Sequence, residues 1–387
     1  MNARPLDPMA EAPAARRLFY WPAWAGIAAL LLAAALAASG AVAATAFWSA
    51  WLAACWWCLG MVLGAAAAQG IHRLTGGAWG SVLAPAAQAL AGRLPWVLLL
   101  FLPLLLSLAW PGDTIHPALY PWAVRDGGAW AGGLAQPGFK LVWLSPLFFT
   151  IRAALYAAVA FWLVRPRALA RMGPGRAALG LVVYLLLGSL AAVDAIASLL
   201  PRWHSSVFGL ALLTGQLLAG VAAGILLTAY AVLRGRLPAP PRQPGRPPVW
   251  RDLGNLLLMA VMLWAYLGFM QFLIVWAENL PEEIAWFVPR LHTGWRWVGL
   301  ALVLLQFALP LSLLLFRALK DQPNRLAAIA ALALAAQLLD AAWLVLPSVA
   351  AHDAGAVLLL PLLAAGLGLL VFGGVPATLR EGHHAPR

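Results

Sequence analysis

The stretch "DLGNLLLMAVMLWAYLGFMQFLIVWAENLPEEIAWF", Asp252 to Phe287, carries no charged residue between its first position and Glu278. A helix rises about 1.5 Å per residue, so the apolar run 253–277 exceeds the ~30 Å hydrocarbon core of a bilayer. The run is continuously apolar and lacks the period-2 alternation of a membrane β-barrel strand. Comparable runs fall at 23–44, 47–68, 94–110, 141–164, 177–200, 206–233, 297–316, 326–347 and 354–374. The whole chain agrees, being 64% hydrophobic and 10% charged with 21 Trp, a composition that calls for lipid as the solvent. The expected fold is an all-α membrane protein with ten transmembrane helices. Helices 2–5 and 6–9 form two four-helix bundles, flanked by helices 1 and 10.

The net charge of +12 is not a nucleic-acid footprint, because it is distributed by topology. Lys and Arg concentrate in the N-terminal tail, in one set of alternate loops and in the C-terminal tail. The positive-inside rule then puts both termini in the cytoplasm and makes the inner face a surface for anionic lipid. Acidic residues do not share the bias: Asp7, Glu11, Asp252, Asp321 and Glu381 fall inside, and Asp113, Asp126, Glu278, Glu282, Glu283 and Asp353 outside. Arg16 and Arg17 followed by "AVAATA" (41–46) resemble a cleavable signal, but the run length favours a retained first span.

A Pro/Arg-rich linker, 234–252, separates residues 23–233 (helices 1–6) from 253–374 (helices 7–10), with tails at 1–22 and 375–387. The Pro density makes it an extended strap. The bundles share features in the same order. "VDAIASLLP" (193–201) parallels "LDAAWLVLP" (339–347), "GFKLV" (138–142) parallels "GWRWV" (294–298), and "WPGDTIHP" (110–117) parallels "WAENLPEE" (276–283). Gly60/Gly64 on the second span and Gly220/Gly224 on the sixth are Gly-xxx-Gly pairs that permit close helix contact. An offset of four helices makes the repeat parallel, about the membrane normal.

The repeat places Asp194 and Asp340 at equivalent positions, seven residues before a Leu-Pro boundary and so about 10 Å below the outer surface. A carboxylate at that depth either bonds a neighbouring helix or carries a proton or ligand. Arg152 is the basic residue expected within a span, and it can reach Asp194 as an ion pair. The second bundle offers glutamines instead of arginine: Gln271, Gln306 and Gln337. Gln337 shares a helix face with Asp340, and Gln271 one with Glu278. This lining suits a quinone headgroup, a water file or interhelical bonding. Asp194, Asp340, Arg152, Gln271, Gln337 and Glu278 are thus the candidate proton-path or quinone-vicinity residues. Glu282, Glu283, Asp113 and His116, at the outer face, are the candidates for docking a partner.

No two histidines fall in facing spans, which leaves a b-type haem without ligands, and Cys55 and Cys58 are too few for a four-thiolate cluster. No catalytic constellation and no metal-ligand or covalent-haem motif is expected. A quinone or menaquinone is the one cofactor the lining suits.

The stretch 252–287, continuing through "WVGLALVLLQFALPLSLLLFRALK" (297–320), with "LYPWA" (119–123) and "LLDAAWLVLP" (338–347), resembles a family of integral membrane subunits of alternative complex III, a bacterial quinol:cytochrome c oxidoreductase. That family belongs with the polysulfide-reductase (NrfD-like) membrane anchors. The resemblance implies ten helices with paired bundles, the bacterial inner membrane, and respiratory electron transport. It further implies extracytoplasmic cytochrome c and iron–sulfur subunits, a sister membrane subunit holding the quinol site, and proton-path residues in this chain. The expectation is a subunit that is not catalytic alone. A secondary transporter built on parallel repeats and a non-catalytic assembly scaffold are the alternatives.

Overall fold

The computed structural model describes residues 12–109, 119–123, 129–132, 134, 137–241 and 244–381. Its long helices are α1 (Ala12–Ala38), α2 (Ala44–Thr75), α3 (Ala78–Ala91), with the short α4 (Leu94–Leu99) and α5 (Leu102–Ala109) after it. Next come α6 (Pro137–Trp143), α7 (Pro146–Val164), α8 (Pro166–Ala170), α9 (Pro174–Ala195), α10 (Phe208–Leu233) and α11 (Val249–Glu278). The short α12 (Pro281–Ile284) and α13 (Val288–Leu291) lead into α14 (Trp295–Leu302), a π-helical segment (Val303–Ala308) and α15 (Leu309–Leu315). The chain ends with α16 (Arg317–Lys320), α17 (Pro323–Val349), α18 (Ala354–Phe372) and α19 (Val375–Glu381). Among the described residues there is no strand, and nine helices are long and apolar enough to cross a membrane, or ten if one bent pair counts as a span. The protein is an all-α, multi-pass membrane protein.

Helices α2 and α10, which open the two bundles, form the centre, and α9 and α17, which close them, pack against both. Helix α1 lies on α18, and α18 lies on α2. The Gly-xxx-Gly pairs make the central crossing. A Cβ on Gly64 would lie 1.8 Å from the Gln216 carbonyl oxygen, and one on Gly220 would lie 2.0 Å from the Ala65 nitrogen, so the two backbones meet directly there. Gly60 is less confined, with a nearest neighbour at 3.4 Å.

Prolines account for most departures from the expected spans. A proline lacks an N–H for the carbonyl four residues earlier and its ring crowds that turn. The third span is not the single run 94–110: α3 and 94–108 form a pair bent by 41°. Helix α3 ends at Ala91, four residues before Pro95, and α4 ends at Leu99, four before Pro103. The fourth span begins at Pro146 rather than 141, with residues 137–143 as a separate helix. Pro310 leaves the Gln306 carbonyl without its α-helical donor, and Gln306 lies inside the π-helical turn. The two Leu-Pro boundaries also differ. Helix α9 stops at Ala195, before Pro201, whereas α17 continues through Pro347 to Val349.

The Pro-rich linker crosses to the C-terminal helix. Leu237 packs with Leu379, and the Arg236 guanidinium donates to the Pro376 carbonyl.

Candidate functional site

The break before α7 sets up the first site. Ser145 is extended and Pro146 opens the helix, leaving Arg152 two turns in and buried. Its Nε and Nη2 donate to the two oxygens of Asp194 at 2.8 and 3.0 Å, and its Nη1 donates to the Trp143 carbonyl at 2.8 Å. That carbonyl belongs to the last turn of α6, so one guanidinium satisfies both the carboxylate and the helix break. The Trp143 indole donates to Asp194 Oδ1 at 3.0 Å and the Tyr156 hydroxyl to Oδ2 at 2.9 Å. The guanidinium carbon lies 4.1 Å from the Trp143 ring centroid and 4.6 Å from that of Phe148, both cation–π contacts. Four donor bonds and a bidentate cation meet the strict requirements of a buried charge pair.

The second site is built differently. Asp340 on α17 is buried, yet no cation among the described residues pairs with it; its carboxylate accepts a long hydrogen bond, 3.3 Å, from the Trp264 indole of α11, and the Gln337 side chain stands against it. On its other side Gly215 of α10 comes so close that a Cβ there would lie 3.2 Å from Gln337 Oε1 and 3.5 Å from Asp340 Oδ2. Asp340, Gln337 and Gln216 line a pocket of about 10 Å³ beside Trp56 and Trp57, which is the space one water molecule needs. The Gln337 amide nitrogen is buried without a hydrogen-bond partner among the described residues. Gln216 Oε1 accepts from the Tyr184 hydroxyl of α9 at 2.9 Å, so the pocket beside Asp340 borders a hydrogen bond to the first half.

Gln306 lies about as deep as Gln337, each roughly 17 Å from the glutamate-bearing face by helical rise, on elements in contact. It is wholly buried, and neither amide atom has a partner among the described residues. Gln271 is buried seven residues beyond Trp264, on the same face of α11. Glu278 closes α11 and is exposed, ahead of the left-handed Asn279 (φ 51°) that ends the helix. Glu282 is exposed and Glu283 half-buried, while Trp286 behind them is buried and stacked on Trp203 at 4.6 Å. Asp113 and His116 lie outside the described residues.

One residue overturns an expectation. Arg290, which the charge distribution places in an outer loop, is wholly buried, so the second half does contain a buried arginine. It does not pair with Asp340. Its Nε donates to the Trp343 carbonyl at 3.0 Å, Nη1 to Trp286 at 2.6 Å, and Nη2 to Leu344 at 2.8 Å and Ser348 Oγ at 2.9 Å. Trp343 is the residue whose carbonyl Pro347 leaves unpaired, which is why α17 passes through that proline. The guanidinium carbon is 3.5 Å from the Trp286 centroid. Sequence signals for Arg290, and for the indoles that reach Asp194 and Asp340, are weak, since Trp and Arg at span ends are common.

Comparison with protein-family models finds no match, and comparison with curated proteins finds none either. The geometry therefore defines a class, a multi-pass α-helical membrane protein holding one paired and one unpaired buried carboxylate.

Proposed function

We propose that this chain is a membrane subunit of a bacterial quinol:electron-acceptor oxidoreductase complex and passes protons through Asp340. The observation that carries the reading is the asymmetry of the two acids. Asp194 is tied to Arg152 by both oxygens, as a fixed counter-ion. Asp340 has no cation partner among the described residues, a long indole bond and a water-sized pocket shared with Gln216 and Gln337, the setting in which a carboxyl takes up and releases a proton. The motifs of 252–347 that resemble a membrane component of alternative complex III support the choice of complex. In that setting the termini are cytoplasmic in the inner membrane, and Glu278 and Glu282 face extracytoplasmic redox subunits. A quinone or menaquinone binds a sister subunit or reaches the Asp340 side.

Isolation of the native assembly in mild detergent tests this. Haem- and iron–sulfur-bearing partners are expected to co-purify with the chain. A chain that purifies alone and supports Asp340-dependent uptake in proteoliposomes is a transporter, and the proposal fails.

A further inference from the structure

A large cavity lies apart from the Asp340 site. It lies in the first half, between α2, α7 and α9, with the short helices of the third span along one side, and has a volume of about 220 Å³. Its shape follows from which residues line it. On α9 it runs from Ala177 to Asp194, and on α2 from Leu52 to Gly70, about 25 Å in each case by helical rise. It is a slot extending along the helices for most of the membrane depth, too long and narrow for a compact ring system alone.

Its walls are mostly hydrocarbon; among the described residues Tyr120, Tyr156, Tyr184, Asp194 and the Trp56 indole add polar groups. The three hydroxyl protons are already given to the Ala195 carbonyl, Asp194 and Gln216. An apolar cavity of this size stays dry and accepts apolar guests. None of these three hydroxyls is left free for a carbonyl headgroup.

Charge marks one mouth. The lining residues Val164, Met172 and Ala177 are chain neighbours of Arg165, Arg171 and Arg176, and Arg167 lies on the short helix between them. All four arginines are exposed, and none pairs with a carboxylate among the described residues. The sequence has no Asp or Glu between Asp126 and Asp194 to neutralise them. Arg176 stands in the first turn of α9, where the helix end is itself positive and favours anions. Arg73 fastens this mouth by donating to the Leu169 and Ala170 carbonyls at 3.4 and 3.2 Å, and its buried Nε has no partner among the described residues.

We infer that the slot holds one acyl chain of an anionic phospholipid whose phosphate is bound by the arginines of 165–176. Chain and headgroup are recognised separately. The hydrocarbon fills the dry slot, and the phosphate supplies the negative charge that this cationic rim lacks. An uncharged prenylquinone would use the slot but not the rim.

Native mass spectrometry of the purified full chain tests the inference, with palmitoyl-oleoyl phosphatidylglycerol and the matching phosphatidylcholine as probes. Wild type is expected to retain one phosphatidylglycerol far more tightly than any phosphatidylcholine. The R171Q/R176Q double variant should lose about 25-fold in phosphatidylglycerol affinity, roughly fivefold for each arginine, and R171K/R176K should keep most of it. Gly180→Leu should remove the tight site while weaker binding persists, because a Cβ there points at Leu163, 3.6 Å away across the slot. Equal binding of the two lipids to wild type overturns the inference. So does unchanged phosphatidylglycerol affinity in R171Q/R176Q, whose rim substitutions lie outside the core. Displacement of the retained lipid by ubiquinone-10, equally in wild type and in R171Q/R176Q, also overturns it.

Discussion

A carboxylate removed from water needs either a cation or a proton, and the two buried aspartates here meet that need in different ways. Asp194→Ala would leave Arg152 buried against Trp143 with no counter-charge. Such a loss typically costs about 3–5 kcal/mol, so a large fall in the thermal midpoint of the detergent-solubilised protein is expected. Asp340→Asn removes no ion pair and keeps an oxygen for the Trp264 indole; its cost should stay below about 1 kcal/mol. A third acid behaves conventionally. Arg251 grips Asp321 through bonds of 2.8 and 2.5 Å and holds that carboxyl below the usual aspartate range. A depressed folded-state value means the contribution is complete at neutral pH and is lost as pH falls below about 4. Asp321→Asn should flatten that part of an acid-unfolding curve, by a small amount because the pair is largely solvated.

The elements are held by features of unequal visibility. Gly64→Ala places a methyl 1.8 Å from the Gln216 carbonyl and must push α2 from α10; a loss of about 3 kcal/mol or more is expected. Gly60→Ala, with 3.4 Å available, should change stability by under about 1 kcal/mol. Thermal melts of the pair separate the two positions. Arg290→Met should cost roughly 3 kcal/mol by orphaning the Trp343 and Trp286 carbonyls, and should raise amide exchange in the last turns of α17. The Gly-xxx-Gly contacts, the long spans and the reach of Arg152 to Asp194 were legible in the sequence, because spacing and hydropathy encode them directly. The breaks were only partly legible. Prolines 95, 103, 146 and 310 mark where a carbonyl loses its donor, but whether the helix bends, restarts or widens into a π turn depends on what satisfies that carbonyl. Pro347 shows the point. The donor that carries α17 through it comes from Arg290, far away in sequence and outwardly a loop residue.

At the scale of the molecule, two halves with matching landmarks have diverged in chemistry. The first half has a fixed ion pair above a dry hydrocarbon slot with a cationic mouth. The second has an unpaired acid, two glutamines with unpartnered amide atoms and a pocket for one water. Hydropathy predicts the frame but not this division, because it turns on which side chains meet across α2, α10 and α17. The contacts that separate Asp340 from Asp194, such as Trp264 and Gly215, lie on other helices at unremarkable sequence spacing. The proposed docking of a partner at Glu278 and Glu282 belongs to the same scale, and both side chains are exposed. Asp340 is proposed to carry protons in an assembled quinol-oxidising complex. The direct measurement is proton movement per quinol oxidised by the intact complex in proteoliposomes, for wild type and Asp340→Asn. Asp340→Asn is expected to assemble normally but to move protons at least about tenfold more slowly. Unchanged proton movement and turnover in a fully assembled Asp340→Asn complex would contradict it.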